Sequence, residues 1–323
     1  MTYAFDAELA SLIAQLPDTT LDISDPLKAR SALSEMMTAL NRDLDCSDVV
    51  FEDWCITGSD GSQALTVRVY SPENLSGDVP GLLYIHGGGF VIGDLDSEHG
   101  TCLTLCRSLG VVLVSVDYRL APETPFPGAL EDCYTALLWV NAHASDLRID
   151  AARLGVFGRS AGAGLAAAVC LVSRDRDGPQ PCFQYLGIPE LDDRLDTASM
   201  CEFVDTPIWH RPNAQLSWDY YLGDNYRRGA NDVPYHAAPA RAQDLSGLPP
   251  AYINTMEFDP LRDEGVLYAL ALMRSGVPTE LHSFPGTFHG SILFTQARMS
   301  QLEADEMMSV LRRGLKIDAL TQR

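Results

Sequence analysis

The sequence predicts an α/β protein: a mainly parallel central sheet covered by helices on both faces, with a helical cap. Two observations predict it. From Gly81 onward, short continuous apolar runs alternate with longer helical stretches, the pattern of strands buried on both faces and joined by crossover helices. Between Ile188 and Ala251 the alternation stops while helical and aromatic residues continue. A stretch that long without a strand inside a compact domain marks a functional insertion. With 323 residues the chain can bury one large core of this kind.

Leu9, Leu12, Ile13 and Leu16 fall at i, i+3, i+4 and i+7, and Leu33, Met36, Met37 and Leu40 repeat the spacing after an Asp25-Pro26 helix start. Two amphipathic helices therefore open the chain, and they must pack onto something built later. Residues 49–56 and 64–70 read as strands joined by the Gly58-Ser59-Asp60-Gly61 turn, a hairpin at a sheet edge. Further strands are expected over 81–85, 111–116, 154–157, 182–188, 251–256 and 279–284, and helices over 99–109, 128–144, 161–174, 262–275 and 295–315. The interval that breaks the rhythm holds helical material over 213–222 together with Trp209, Trp218, Tyr220 and Tyr221. The implied division is N-terminal cap helices over 1–45, an α/β domain over 46–188 and 249–323, and a cap insertion over 189–248.

Composition narrows the function classes. The formal charge is −21, from 44 acidic and 23 basic residues, and Lys28 and Lys316 are the only lysines. Such a surface repels phosphate backbones and anionic lipid, which argues against nucleic-acid and membrane partners. An acidic, well-solvated face explains the charge without a substrate-steering role. No run approaches the roughly 18–20 apolar residues of a membrane span, and Met1 to Asp6 lacks a basic start followed by an apolar signal segment. The reading is a cytoplasmic protein. The eight cysteines form no CxxC pair, so reduced thiols are expected rather than disulfides or zinc. Cys102 and Cys106, one helical turn apart, read as packing.

A parallel sheet puts its ligand site at the strands' carboxyl ends, and the chemistry-bearing residues cluster there. Gly158-Arg159-Ser160-Ala161-Gly162 ends one apolar run and begins a helix. A strand feeding straight into a helix needs a tight turn, and flanking glycines leave room for a strained central serine with its hydroxyl exposed. A GxSxG string arises by accident on the order of 0.1 times in such a chain, so its context must decide. After the strand at 81–85 comes His86-Gly87-Gly88-Gly89-Phe90, whose bare backbone N–H groups suit a developing oxyanion. No Gly-Lys-Ser/Thr ending marks it as a phosphate loop.

Ser160 needs a base, itself oriented by a carboxylate. His289 lies beyond the strand at 279–284, where a base can reach the serine, whereas His282 lies inside that strand as a packed or surface residue. Glu257, Asp259, Asp263 and Glu264 follow the strand at 251–256. Asp259 is favoured because Pro260 keeps it in the loop. Asp263 and Glu264 belong to the next helix's first turn, where the helix dipole explains an acid.

These segments, with Tyr118-Arg119-Leu120-Ala121-Pro122-Glu123, Asp259-Pro260-Leu261-Arg262-Asp263-Glu264 and Phe288-His289-Gly290, resemble the hormone-sensitive-lipase family of carboxylesterases, microbial family IV, of the α/β-hydrolase fold. The likeness runs from about Gly81 to the C-terminus. Ile188-Pro189-Glu190-Leu191-Asp192-Asp193-Arg194 and Trp209-His210-Arg211-Pro212-Asn213 carry it into the cap. The resemblance implies a triad of Ser160, His289 and Asp259 and an oxyanion hole from the N–H groups of Gly88, Gly89 and Ala161. His86 and Gly87 then support the glycine loop, and Tyr118, Arg119 and Glu123 support the site. Phe90 and Trp209 are candidates for the substrate cleft, with ordinary core packing the alternative. Members often carry Asp where this chain has Arg159, a departure that alters local charge and not the triad.

The implied reaction is hydrolysis of small short-chain acyl or aryl esters through an acyl-enzyme, with no metal or organic cofactor required. The resemblance leaves a homodimer open, and no stretch of the chain marks an interface. Two other readings share the fold: a non-catalytic ligand-binding protein, against which the retained His289 speaks, and acyl transfer or amide cleavage by the same triad.

Overall fold

A computed structural model describes residues 3–16, 21–58, 61 and 64–317. Helix α1 spans Ala7–Ile13, capped by the Asp6 carboxylate, which accepts from Glu8 N and Leu9 N at 3.0 and 3.3 Å. Helix α2 spans Pro26–Asn41, with proline in its first turn and Asp25 accepting from Lys28 N. Strands β1 (Val49–Thr57) and β2 (Ala64–Pro72) pair antiparallel as the expected edge hairpin. Ser59 and Asp60 of its turn lie outside the described residues.

The α/β part follows as β3 (Val79–Ile85), α3 (His99–Leu109), β4 (Val112–Val116), α4 (Gly128–Ala142), β5 (Ile149–Arg159), α5 (Ala161–Asp175) and β6 (Gln184–Gly187). Between β6 and the next strand lie the helices α6 (Ala198–Glu202) and α7 (Arg211–Leu222), and the sheet gains no strand there. The chain closes with β7 (Ala251–Phe258), α8 (Arg262–Arg274), β8 (Thr279–Phe288) and α9 (Arg298–Gly314). The strand order is β1-β2-β4-β3-β5-β6-β7-β8, and every pairing from β4 to β8 is parallel. β4 and β6 are buried along their whole length, as strands covered on both faces must be. This is the α/β-hydrolase fold. No helix among the described residues is long and apolar enough to cross a membrane.

Register delivers the site. Ile85 pairs with Gly158, so the glycine run after β3 leaves the sheet beside the turn after β5. Phe258 pairs with Phe288, so Asp259 and His289 emerge side by side from β7 and β8.

Element boundaries shift from the sequence expectation mostly at the ends, where helices fray and neighbours extend a strand. β5 begins at Ile149 rather than 154, because Val79 and Pro80 of β3 pair with Ile149 and Asp150. β8 continues past Pro285 to Phe288, which an edge strand permits. α1 ends before Leu16. The larger difference is α2: its apolar stripe is buried only in part, with Ala29 in the core and Leu33 packed against it while Met36 and Leu40 stay 53% and 61% exposed. Polar clamps hold the helix as well. Arg30 donates from Nε to Val91 O at 2.7 Å and from Nη2 to Ala121 O at 2.7 Å, and both Nη atoms reach the Glu123 carboxylate. Asn41 Nδ2 donates to Asp96 O at 2.7 Å. Cys102 and Cys106 are buried among Leu103, Leu105 and Leu109, as packing residues.

Candidate active site

Ser160 stands between β5 and α5 with φ +55° and ψ −127°, a region that costs a non-glycine residue of order 1–3 kcal/mol. The turn that imposes it is tight on both sides. A Cβ on Gly158 would lie 2.1 Å from Gly162 O, and one on Gly162 would lie 2.2 Å from Ile85 O. Only glycine lets those backbones meet. Ala161 opens α5, and the first N–H of a helix has no intrahelical acceptor.

His289 Nε2 lies 3.0 Å from Ser160 Oγ, and His289 Nδ1 lies 2.8 Å from Asp259 Oδ2. The other oxygen of Asp259 accepts from Leu261 N at 2.8 Å. Ser160, His289 and Asp259 are 8%, 5% and 1% exposed, so the line of three groups is shielded from bulk water along most of its length. The missing-base reading meets an imidazole within hydrogen-bond reach of the hydroxyl.

The glycine run lies against this line. A Cβ on Gly87 would come to 3.0 Å from Arg159 O and 3.6 Å from Ser160 Cβ. Gly88 and Gly89 have φ of +111° and +59°; a Cβ on Gly88 would stand 2.1 Å from Ile92 O, and one on Gly89 2.5 Å from the Trp209 ring. The Gly88 carbonyl accepts from Val91 N and Ile92 N at 3.0 Å, while neither the Gly88 nor the Gly89 N–H donates to another backbone group among the described residues.

His86 lies under the run. Its Nδ1 contacts Gly87 O at 2.7 Å, its ring stacks on Tyr118 with centroids 4.0 Å apart, and its own carbonyl accepts from Tyr118 Oη at 3.0 Å. Burial pulls its pKa down to about 4, so it is neutral at pH 7, with Nδ1 carrying the proton that Gly87 O accepts. Arg119 donates to Asp132 from Nε and Nη2, and Glu123 is the Arg30 partner. Tyr118, Arg119 and Glu123 are thus contacts that hold neighbouring loops.

Trp209 is buried, its ring 5.9 Å from that of His289 and against Gly89. Phe90, also buried, stacks on Tyr221 at 4.0 Å and packs near Trp218. His282 is paired with Glu306 and stacked on Phe284. Asp263 and Glu264 lie in the first turn of α8, and they do more than meet its dipole: Asp263 accepts from Ser199 N, and Glu264 from Leu191 N and Asp192 N. Arg159 pairs with Glu303 of α9 at 2.5 Å, and Asn254 Nδ2 donates to the same carboxylate at 3.1 Å.

Sequence reasoning missed the clamp by Arg30 and the pair Glu190 and Ser217, which are fully buried next to Gly89. A carboxylate just beyond an apolar strand was the available signal for Glu190; nothing marked Ser217. No group of three or more His, Cys, Asp or Glu among the described residues is arranged to hold a metal.

A family model described as the alpha/beta hydrolase fold matches residues 82–293. Esterase LipI of Mycobacterium tuberculosis is 38% identical over 242 residues, which is 74% of this chain and 74% of its own. Carboxylesterase NlhH of the same organism is 38% identical over 261 residues, covering 80% of this chain and 81% of its own. The solved structure of a bacterial heroin esterase superposes with a TM-score of 0.93 at 50% identity, over 97% of this chain and 98% of that one.

Proposed function

Because the chain belongs to the hormone-sensitive-lipase-like family IV esterases and is a serine carboxylesterase, we propose that Ser160, His289 and Asp259 are its catalytic triad and that it cleaves small short-chain acyl or aryl esters. The observation that carries the assignment is the unbroken line Asp259–His289–Ser160, with steps of 2.8 and 3.0 Å in a buried setting.

In this reading Ser160 Oγ attacks the ester carbonyl while His289 Nε2 takes its proton, and Asp259 fixes the imidazole tautomer and stabilises the imidazolium. The negative charge on the carbonyl oxygen is met by the N–H groups of Gly88, Gly89 and Ala161, each worth about 3 kcal/mol when such a donor is lost. His289 then protonates the leaving alcohol or phenol, the acyl group stays on Ser160, and a water deprotonated by His289 releases the acid. Residues 1–45 and 189–248 act as the cap. Their mutual contacts support this: Asn213 Nδ2 donates to Leu21 O at 2.5 Å, and Tyr220 Oη to Ser24 O at 3.1 Å. Trp209 brings an aromatic wall from that cap to Gly89 and His289, which suits a short acyl group or a flat aryl group. A small-molecule substrate is also what the name heroin esterase specifies for that relative.

Replacing Ser160 by Ala is expected to lower kcat by about 10⁵-fold or more with folding unchanged. On p-nitrophenyl esters of increasing chain length, turnover is expected to peak at acetate to butyrate. Undiminished activity in Ser160→Ala rejects the nucleophile, and a long-chain peak with interfacial activation rejects the substrate class.

A further inference from the structure

Ser217, on α7, touches two oxygens at once: the Gly89 carbonyl and Glu190 Oε1, each at 2.9 Å from its Oγ. A hydroxyl has one proton to give. The Gly89 carbonyl can only accept, so the two contacts are hydrogen bonds at the same time only if Glu190 supplies the proton for one of them. All three residues meet in the interior, with Glu190 and Ser217 fully buried, and Glu190 Oε2 has no hydrogen-bond partner there. An ionised carboxylate with a bare oxygen in such a place is far costlier than a neutral acid.

We propose that Glu190 is a positioning residue that works in its protonated form: its carboxyl O–H donates to Ser217 Oγ, the Ser217 O–H donates to the Gly89 carbonyl, and this relay fixes the glycine run whose amides face the developing oxyanion. The proposal rests on the assignment of Gly88 and Gly89 to the oxyanion hole. It ties the cap to the reaction through hydrogen bonds rather than through packing alone. The backbone of Glu190 is joined to the nucleophile as well, its N–H donating to Ser160 O at 3.2 Å.

The titratable groups that face Glu190 are Asp259 beyond β7, Glu264 on α8, Tyr118 beyond β4 and Tyr221 on α7. All four are acids, so none offsets a charge on it. Burial, opposed by the contact with Ser217 and aided less by Asp259, pushes the Glu190 carboxyl up to about 8. Above that pH the carboxylate claims the Ser217 proton, and the Gly89 carbonyl is left facing a hydroxyl lone pair.

The test is the pH profile of kcat from pH 6 to 10 on a short-chain ester, for the full chain and for Glu190→Gln, Glu190→Ala and Ser217→Ala. The unaltered protein should lose about tenfold between pH 7 and 10, less than the 10²–10³ that outright loss of an oxyanion donor costs. Glu190→Ala and Ser217→Ala should show about that loss already at pH 7 and stay flat above it. Glu190→Gln, whose amide N–H donates in place of the acid, should recover most of the neutral-pH rate and show no alkaline limb.

An alkaline limb that persists in Glu190→Gln overturns the relay and leaves the triad standing, whereas an active Ser160→Ala overturns the triad reading itself. Full activity in Ser217→Ala with the limb intact overturns the relay even if no Glu190 variant folds. Independently of activity, the infrared difference between the unaltered protein and Glu190→Gln at pH 7 should contain a protonated-acid carbonyl band. A carboxylate pair in its place overturns the proposal.

Discussion

On one side of the Ser160 turn, Gly162 meets the Ile85 carbonyl so closely that a Cβ would lie at 2.2 Å; on the other, Gly89 meets the Trp209 ring, 2.5 Å from where a Cβ would be. The distances are similar and the neighbours are not. Ile85 O belongs to a central strand of a packed sheet and has nowhere to go. Trp209 is a side chain in the segment between β6 and β7, and a ring can rotate. The base of the site is therefore fixed by backbone against backbone, and its roof by side chains that tolerate adjustment.

The paired substitutions Gly162→Ala and Gly89→Ala separate these regimes. Alanine inside a helix is normally worth about 1 kcal/mol over glycine, so Gly162→Ala should gain that much from α5. The clash with fixed backbone outweighs it, and the expected net loss is about 3 kcal/mol or more in urea denaturation. Gly89→Ala should cost about 1–2 kcal/mol, from its positive φ and a displaced ring, while kcat/KM falls much further than stability does. Equal stability losses for the two would mean that the segment carrying Trp209 is as unyielding as the turn.

The same contrast explains what could be read in advance. Where backbone meets backbone, only glycine fits, so the requirement is written as a string: GxSxG at Ser160 and three glycines after His86. The strands were legible because buried parallel strands leave continuous apolar runs, and His289 and Asp259 followed from their places just past two strand ends. Arg30 and Ser217 are not legible, and Glu190 is legible only as a carboxylate just beyond an apolar strand, without its partners. Each makes its contacts with carbonyl, carboxyl or hydroxyl groups distant in sequence, and no spacing along the chain encodes that reach. The amphipathic spacing of α2 is borne out only for the part that carries Leu33, which packs on the core beside Ala29; Met36 and Leu40 remain exposed, and one guanidinium ties the helix to the loops after β3 and β4.

That guanidinium supplies a smaller test of the roof. Arg30→Met keeps most of the aliphatic stem but removes donors from Val91 O and Ala121 O and the partner from Glu123. The Glu123 pair is half in solvent and contributes little by itself; the two carbonyls matter more. A stability loss of about 1–2 kcal/mol is expected, with a several-fold fall in kcat because Val91 N and Ile92 N hold the Gly88 carbonyl. A variant that loses stability but no kcat would confine Arg30 to anchoring α2.

The smallest effect is thermodynamic and concerns the acids between floor and roof. Burial raises Glu190 to about 8 and holds Glu264 well above the usual carboxylate range. In the unfolded chain both titrate near 4.3, so between that pH and 8 the folded state binds more protons. Their contribution is fully present below the unfolded value and is lost as pH rises through the folded one. His86 works the other way, but its folded value of about 4 confines it to pH below about 6.5, where the unfolded imidazole begins to charge. From pH 6.5 to 8, therefore, stability should fall with rising pH, by up to about 1.4 kcal/mol per pH unit for each such acid. Glu190→Gln should flatten that slope by one acid's share in urea titrations at stepped pH, with Glu264 and the other carboxyls that burial raises, Glu98 and Glu303, contributing to what remains. A slope unchanged by the substitution would place the proton elsewhere, and with it the coupling between roof and floor.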